Sequence, residues 1–227
     1  DLTALPSLPV TLKFLYCSQN QLTALPALPA SLRYLVCWGN LLAGLPALPN
    51  ALNRLECENN PIGALPTLPD SLTFLYASNN GLTTLPTLPD TLQTIFCFNN
   101  QLTSLPPLNP ALTLLNCNQN QLTALPDLPN GLLYLQCHTN PIDCLPLLPN
   151  SATGIVCHTT NITCLPNVPV AYSAISSDLG FPLTVCNVLS PCPFGDEAIT
   201  GSVFTDANGN GVKEVGEAAF TNAIVEA

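Results

Sequence analysis

The chain has 227 residues, enough for one large domain or two modest ones, with a net charge of −10, 8% charged and 47% hydrophobic residues. That much apolar surface offsets the entropy of ordering and excludes a disordered chain, and the 24 prolines are spread along it instead of gathering in a linker. Four basic residues supply no stripe for nucleic acid or anionic lipid, and no apolar run reaches the ~18 residues of a transmembrane segment.

A twenty-residue period organises the chain from its start. The chain opens inside a repeat at Asp1-Leu2-Thr3, as expected of a mature or trimmed protein. The frame Leu12-Lys-Phe-Leu15-Tyr-Cys17-Ser-Gln-Asn20-Gln-Leu22, followed by Thr-Ala-Leu25-Pro26-Ala-Leu28-Pro29, recurs from Leu32, Leu52, Leu72, Leu92, Leu112 and Leu132. It weakens at Ala152, and an eroded turn starts at Tyr172. The asparagine column runs from Asn20 to Asn140 and gives way to Thr160.

Each column has a physical reading. Leu15 and Cys17 lie two apart, so on a short strand both point into the core while Phe14, Tyr16 and Ser18 point out. In Leu-Pro-x-Leu-Pro, prolines three apart forbid a helix and suit polyproline II, which puts Leu25 and Leu28 on one side and Pro26 and Pro29 on the other. The asparagines suit the turn after each strand, where a short amide satisfies backbone groups. No coil buries its leucines alone, so the coils must stack into a solenoid. The threonine column (Thr3, Thr23, Thr83, Thr103, Thr123, Thr163) is broken by Ala43, Gly63 and Asp143, which weakens an ice-binding reading.

The outward positions are candidates for recognition. Phe14, Tyr34, Arg54, Phe74 and Tyr134 fall in the first column, Tyr16, Glu56, Tyr76 and Phe96 in the second, and Trp38, Glu58, Phe98 and His138 in the third. Rows of exposed aromatics are typical interface anchors, with Arg33, Arg54, Glu56 and Glu58 as polar specifiers. A protein ligand is the leading partner. A glycan is the alternative, since amides such as Asn116, Asn118 and Gln119 beside aromatic faces suit sugar rings. A third reading is a structural subunit that self-associates through the solenoid ends, where leucines await a neighbour. His138, His158 and Asp178 fall in register as a minor metal-site candidate. No nucleophile–base–orienter set is present, so the expected activity is binding, not catalysis.

Seven of the eleven cysteines fall in the inward column: Cys17, Cys37, Cys57, Cys97, Cys117, Cys137 and Cys157, with Ala77 completing it. Strands stacked ~4.8 Å apart set in-register Cβ atoms slightly too far apart for relaxed disulfides, so the column reads as core packing. Cys144, Cys164, Cys186 and Cys192 remain, and three connectivities are open to them. The simplest is 144–164 with 186–192, stapling the decaying end.

The repeat over about residues 1–170 resembles the short repeats of bacterial leucine-rich effectors. The resemblance implies a leucine-rich-repeat solenoid with a parallel β-sheet on the concave face and a polyproline II or extended convex side. Some of those effectors carry a ubiquitin-ligase domain that has no counterpart in these residues. The cysteine column stands where they usually place a small aliphatic residue, which favours a secreted or cell-surface bacterial protein over a host-cytosol effector.

After Phe194 leucine-proline punctuation ends. Asp206-Ala-Asn208-Gly-Asn210-Gly211-Val212-Lys-Glu214-Val-Gly-Glu217 fits a twelve-residue calcium loop: Asp206, Asn208, Asn210 and Glu217 as side-chain ligands, Gly211 at the sharp turn, the Val212 carbonyl at the seventh position, and Glu214 adding charge. The flanks, Val203-Phe204 and 223–225, read as strands. The string from Gly201 to Glu217 resembles the B-type repeats of serine-aspartate surface adhesins, which implies a calcium-binding immunoglobulin-like module continuing beyond this chain. The expected organisation is a solenoid over 1–171, an eroded turn and cap over 172–194, and an incomplete calcium-binding β-module over 195–227.

Overall fold

The computed structural model describes residues 1–167, Cys186, and the backbone of two short strands further on. Eight strands, β1 (Phe14–Tyr16), β2 (Tyr34–Val36), β3 (Arg54–Glu56), β4 (Phe74–Tyr76), β5 (Thr94–Phe96), β6 (Leu114–Asn116), β7 (Tyr134–Gln136) and β8 (Gly154–Val156), form one parallel sheet in chain order. The register is twenty residues throughout, from Leu15↔Leu35 to Leu135↔Ile155. The architecture is the expected leucine-rich-repeat solenoid.

Burial explains why such short strands hold. From β2 to β8 the middle residue, Leu35, Leu55, Leu75, Ile95 and Leu115 among them, is buried, as are Leu32, Leu52, Leu72, Leu92 and Leu112 three residues earlier, while Leu15 in the first strand is half-buried. Each such side chain contributes about 1.5–3 kcal/mol through the water it leaves. The cysteines and Ala77 line the same core, with Cys17 the least buried at the first coil. All seven are thiols, and burial raises the pKa values of Cys17, Cys37, Cys57, Cys97, Cys117 and Cys137, to about 11 for Cys17 and about 12 for Cys97.

Two devices turn each coil. The residue before the asparagine adopts a left-handed conformation, with φ from 51° to 57° at Gln19, Asn59, Asn79, Asn99, Gln119, Thr139 and Thr159, and 67° at Gly39. The asparagine side chain then fills the turn: Asn40 Nδ2 donates to the Cys37 and Cys17 carbonyls at 2.9 and 3.0 Å, while its Oδ1 accepts from the Leu22 amide at 3.1 Å. Asn60, Asn100, Asn120 and Asn140 repeat the cross-coil donation. Thr160 takes over where asparagine ends, its Oγ1 donating to Cys157 O at 2.7 Å.

The return segment holds neither helix nor strand. The proline pattern is not uniform, however: Pro69, Pro89 and Pro149 are buried instead of facing solvent. The second proline starts a reverse turn in buried and unburied cases alike, Leu32 N–H donating to Pro29 O at 3.0 Å and Leu92 N–H to Pro89 O at 3.1 Å. Ser31, Ser71, Thr91 and Ser151 clamp this turn to the preceding coil, each hydroxyl donating to a carbonyl at 2.6–2.9 Å.

At the far end Cys164 bonds to Cys186, with Cα atoms 5.0 Å apart. The expected pairing of Cys164 with Cys144 is therefore incorrect, as is that of Cys186 with Cys192. The Cys186 amide donates to Leu165 O at 2.7 Å, which seats Cys186 beside Cys164 one coil further on. Cys144 is also disulfide-bonded. Further on, β9 (Val203–Phe204) and β10 (Ala219–Phe220) pair antiparallel. β9 matches the expected flank, whereas β10 lies ahead of 223–225, and its register with Phe204 closes just outside the string 206–217. The domain boundaries at 171–172 and 194–195 lie outside the described residues, as do residues 223–225.

Candidate binding face

Alternation along each strand sends the residues flanking its buried centre outward. Phe14, Tyr16 and Tyr134 are about half exposed or more, and Tyr34, Trp38, Arg54, Glu56, Glu58, Phe74, Tyr76, Phe96, Phe98 and His138 are half-buried. All the candidate ligand residues of the solenoid thus share one face of the sheet.

Stacked coils bring them into contact. Phe14 meets Tyr34 edge to face with centroids 5.0 Å apart, and Tyr76 stacks on Phe96 at 5.1 Å. The Arg54 guanidinium lies 5.3 Å from the Phe74 ring centroid and 4.8 Å from that of Tyr76, while its Nε donates to Glu56 Oε1 at 2.5 Å. Aromatic side chains and one clamped cation therefore make a continuous band over β3, β4 and β5. Beyond it lies a hollow of about 180 Å³ lined by Phe96, Leu114, Tyr134 and Gln136. Tyr134 closes the band by lying over Gly154, where a Cβ would meet its ring at 2.7 Å.

Several outward residues are nonetheless buried: Val36, Ser78, Asn116 and Asn118. Short side chains between taller neighbours twenty residues away are covered by them. Asn118 Nδ2 donates to Asn116 Oδ1 at 2.6 Å and Asn116 Nδ2 to Gln136 Oε1 at 2.7 Å, so these amides are occupied by each other instead of facing a sugar. Gln119 is exposed, at the left-handed turn position.

Glu58 stands apart among the charged groups. Burial raises its pKa above the usual carboxylate range, its own amide opposes this, Glu56 adds to it and Arg54 subtracts. Among the described residues, the buried side-chain atoms lacking a hydrogen-bond partner are Ser18 Oγ, Glu58 Oε2 and Ser78 Oγ, all in the third outward column, with Asn80 Oδ1 and Asn109 Nδ2 elsewhere.

His138 and His158 stack with centroids 4.4 Å apart, and each Nδ1 lies 3.0 Å from the following threonine hydroxyl. Asp178, their expected third ligand, lies outside the described residues, as do Asp206, Asn208, Asn210, Val212, Glu214 and Glu217. Among the described residues no three ligating side chains gather to hold a metal. No helix among them is long and apolar enough to cross a membrane.

An eight-stranded parallel sheet with a twenty-residue coil defines a leucine-rich-repeat solenoid. The chain belongs to the bacterial leucine-rich-repeat proteins: it is 31% identical to the Shigella effector leucine-rich-repeat domain, covering 67% of this chain and 71% of that one with a TM-score of 0.59. It is also similar to YopM from Yersinia enterocolitica, at 31% identity over 81% of this chain and 44% of that one, TM-score 0.66. With YopM, a leucine-rich effector protein from Yersinia pestis, identity is 34% over 75% of this chain and 50% of that one, TM-score 0.67. The chain spans about half the length of the two YopM proteins. No protein-family model matches the sequence, and no curated protein matches it.

Proposed function

We propose that this chain is a binding protein of an exported bacterial molecule, released or held at the cell surface, which grips a protein ligand with the outward face of its sheet. The observation that carries the reading is the aromatic band joined by the Tyr76–Phe96 stack and the Arg54 clamp. Such pre-packed rings present large apolar area whose ordering entropy is already spent, the quality that distinguishes interface anchors from loose surface residues. The disulfide at Cys164 and Cys186 supports an oxidising destination, and adhesion is the role that fits such a face at a cell surface. A calcium-binding module over 195–227, with its ion held by Asp206, Asn208, Asn210, the Val212 carbonyl, Glu214 and Glu217, is proposed on sequence spacing alone.

The test uses a library of random loops displayed on a small rigid scaffold and selected against the intact chain. Enriched binders should weaken by ~30-fold, about 2 kcal/mol, when Tyr76→Ala and Phe96→Ala are combined, and remain unaffected by Leu147→Ser on the return segment. Binders insensitive to the face and sensitive to Leu147 would overturn the reading. A glycan array and the particle mass in dilute solution separate the sugar-binding and self-stacking alternatives.

A further inference from the structure

Three neighbouring coils build the hollow that lies beyond the aromatic band. Register places Thr94, Leu114, Tyr134 and Gly154 in one outward row and Phe96, Asn116 and Gln136 in the next. Leu114 is half-buried and forms the floor. Phe96 forms one wall, held in place by its stack on Tyr76. Tyr134 forms the other, and its ring leans away from Leu114: a Cβ at Gly154 would meet its Cδ1 at 2.7 Å and its Cε1 at 3.1 Å. Strands stand ~4.8 Å apart, so a ring rising straight from the sheet would not come so near the next coil. The absent side chain at Gly154 thus lets Tyr134 tilt over β8 and opens the space above Leu114.

Size and polarity limit what can enter. The space is about 180 Å³, and a cavity of about 150 Å³ lined by leucine, isoleucine and phenylalanine takes a benzene ring. β5, β6 and β7 carry no charged residue, so neither a cation nor a carboxylate finds a counter-ion on them. The Asn116 amide is spent on Gln136 Oε1 and on Asn118, which denies a sugar ring that partner. Tyr134 keeps 50% of its surface exposed, apolar area that an incoming ring would cover.

We propose that the hollow over Leu114, between Phe96 and Tyr134, is the socket for one phenylalanine side chain of the protein ligand. A phenyl ring fills the volume and packs against two aromatic walls in the offset or edge arrangements that rings prefer. It also supplies the central apolar anchor around which protein interfaces gather their affinity. Gln136 stands exposed at the rim with its Oε1 held by Asn116, so its amide N–H groups can donate to a backbone carbonyl of the incoming loop.

The inference rests on the sheet face being the binding surface, so its test separates the two. The displayed-loop library is selected against the intact native chain, and binders weakened by Tyr76→Ala and Phe96→Ala together are the face binders. These should share phenylalanine at one loop position, and changing it to alanine should weaken them about tenfold or more. Leu114→Phe raises the floor, and Gly154→Ala pushes Tyr134 back over it. Each should weaken the same binders about tenfold or more, and neither should further weaken a binder already lacking its phenylalanine, as expected of one shared contact. Melting curves guard against reading an unfolded variant as a lost contact, and Leu114→Phe decides the matter if Gly154→Ala does not fold. Face binders without the shared phenylalanine, or indifferent to both variants, would overturn the socket and leave the binding face standing. Glycan capture or self-association that Leu114→Phe abolishes would overturn it too, by giving the hollow a sugar or a second copy. If no binder maps to the face, the proposed function and the socket fall together.

Discussion

The residues that decide most here are short polar side chains with an oxygen or amide in a tight place. Asn40 illustrates one extreme: donors and acceptor are all used, tying the Cys37, Cys17 and Leu22 backbone groups together across two coils. Glu58 illustrates the other, since a buried carboxylate oxygen without a donor destabilises the fold that contains it. Its raised pKa means that the folded chain holds this proton more tightly than the unfolded chain does. The associated stability is fully present below the ordinary glutamate value, about 4.3, and is lost as pH rises through the higher folded value. Glu58→Gln should therefore raise the melting temperature at neutral pH, with the gain shrinking to nothing below about pH 4. Thermal unfolding of both proteins from pH 3 to 8 checks this, and a loss of stability at pH 7 would mean that Glu58 has a partner in the fold. Asparagine at three of the left-handed positions follows from its tolerance of that conformation. Thr139 and Thr159 occupy the same place in the last coils against their β-branched preference.

At the scale of one element, the ladders of the solenoid succeed or fail by what each column contains. The cysteine column succeeds as packing, because a thiol is small, apolar and nearly the volume the slot allows. Burial disfavours the thiolate, which is the reactive form. In native protein at pH 8 all seven should resist iodoacetamide, and all should label in denaturant. Cys17, at 5% exposure, should be the first to react as the native state is loosened. Mass spectrometry with site mapping reads the order, and early labelling of Cys97 or Cys117 would contradict core placement. The asparagine column is interrupted instead at the coil of Pro61. Regular coils send the amide after the asparagine to the previous coil, as Leu41 does to Leu22 O and Gln101 to Leu82 O, but proline has no amide to send. There Gly63, at φ 72°, donates to the Asn80 carbonyl instead, and Asn80 Oδ1 is left without a partner. A cleft of about 520 Å³ opens at this point, lined by Asn59, Asn60, Pro61, Gly63, Asn79, Asn80 and Gly81.

On the scale of the whole molecule, the described solenoid is a row of near-identical units whose stability adds up from interfaces between neighbours. The calcium proposal concerns a segment set apart from that row by composition and bracketed by β9 and β10. Chelator should raise protease sensitivity at residues 205–217 and leave the solenoid's fragments unchanged. Asp206→Ala should abolish calcium uptake measured by titration calorimetry. An Asp206→Ala chain that still takes up calcium at the same stoichiometry would remove the site.

The twenty-residue period, the inward leucines and cysteines, the turn asparagines and the outward aromatics were all legible in the sequence by itself. Repetition makes this possible: one coil's local pattern, stated eight times, leaves stacking as the single way to bury Leu15, Leu35, Leu55 and their successors. What a linear pattern does not contain is the company each side chain keeps twenty residues away. Tertiary structure alone decided that Cys164 joins Cys186 and that Pro69 and Pro89 are buried. It also decided that Asn116 and Asn118 bind each other beneath taller neighbours, while Arg54 is taken by Glu56 and Glu58 Oε2 is left without a hydrogen-bond donor. These outcomes depend on side-chain height and reach across the coil stack, quantities that the order of residues along one coil does not specify.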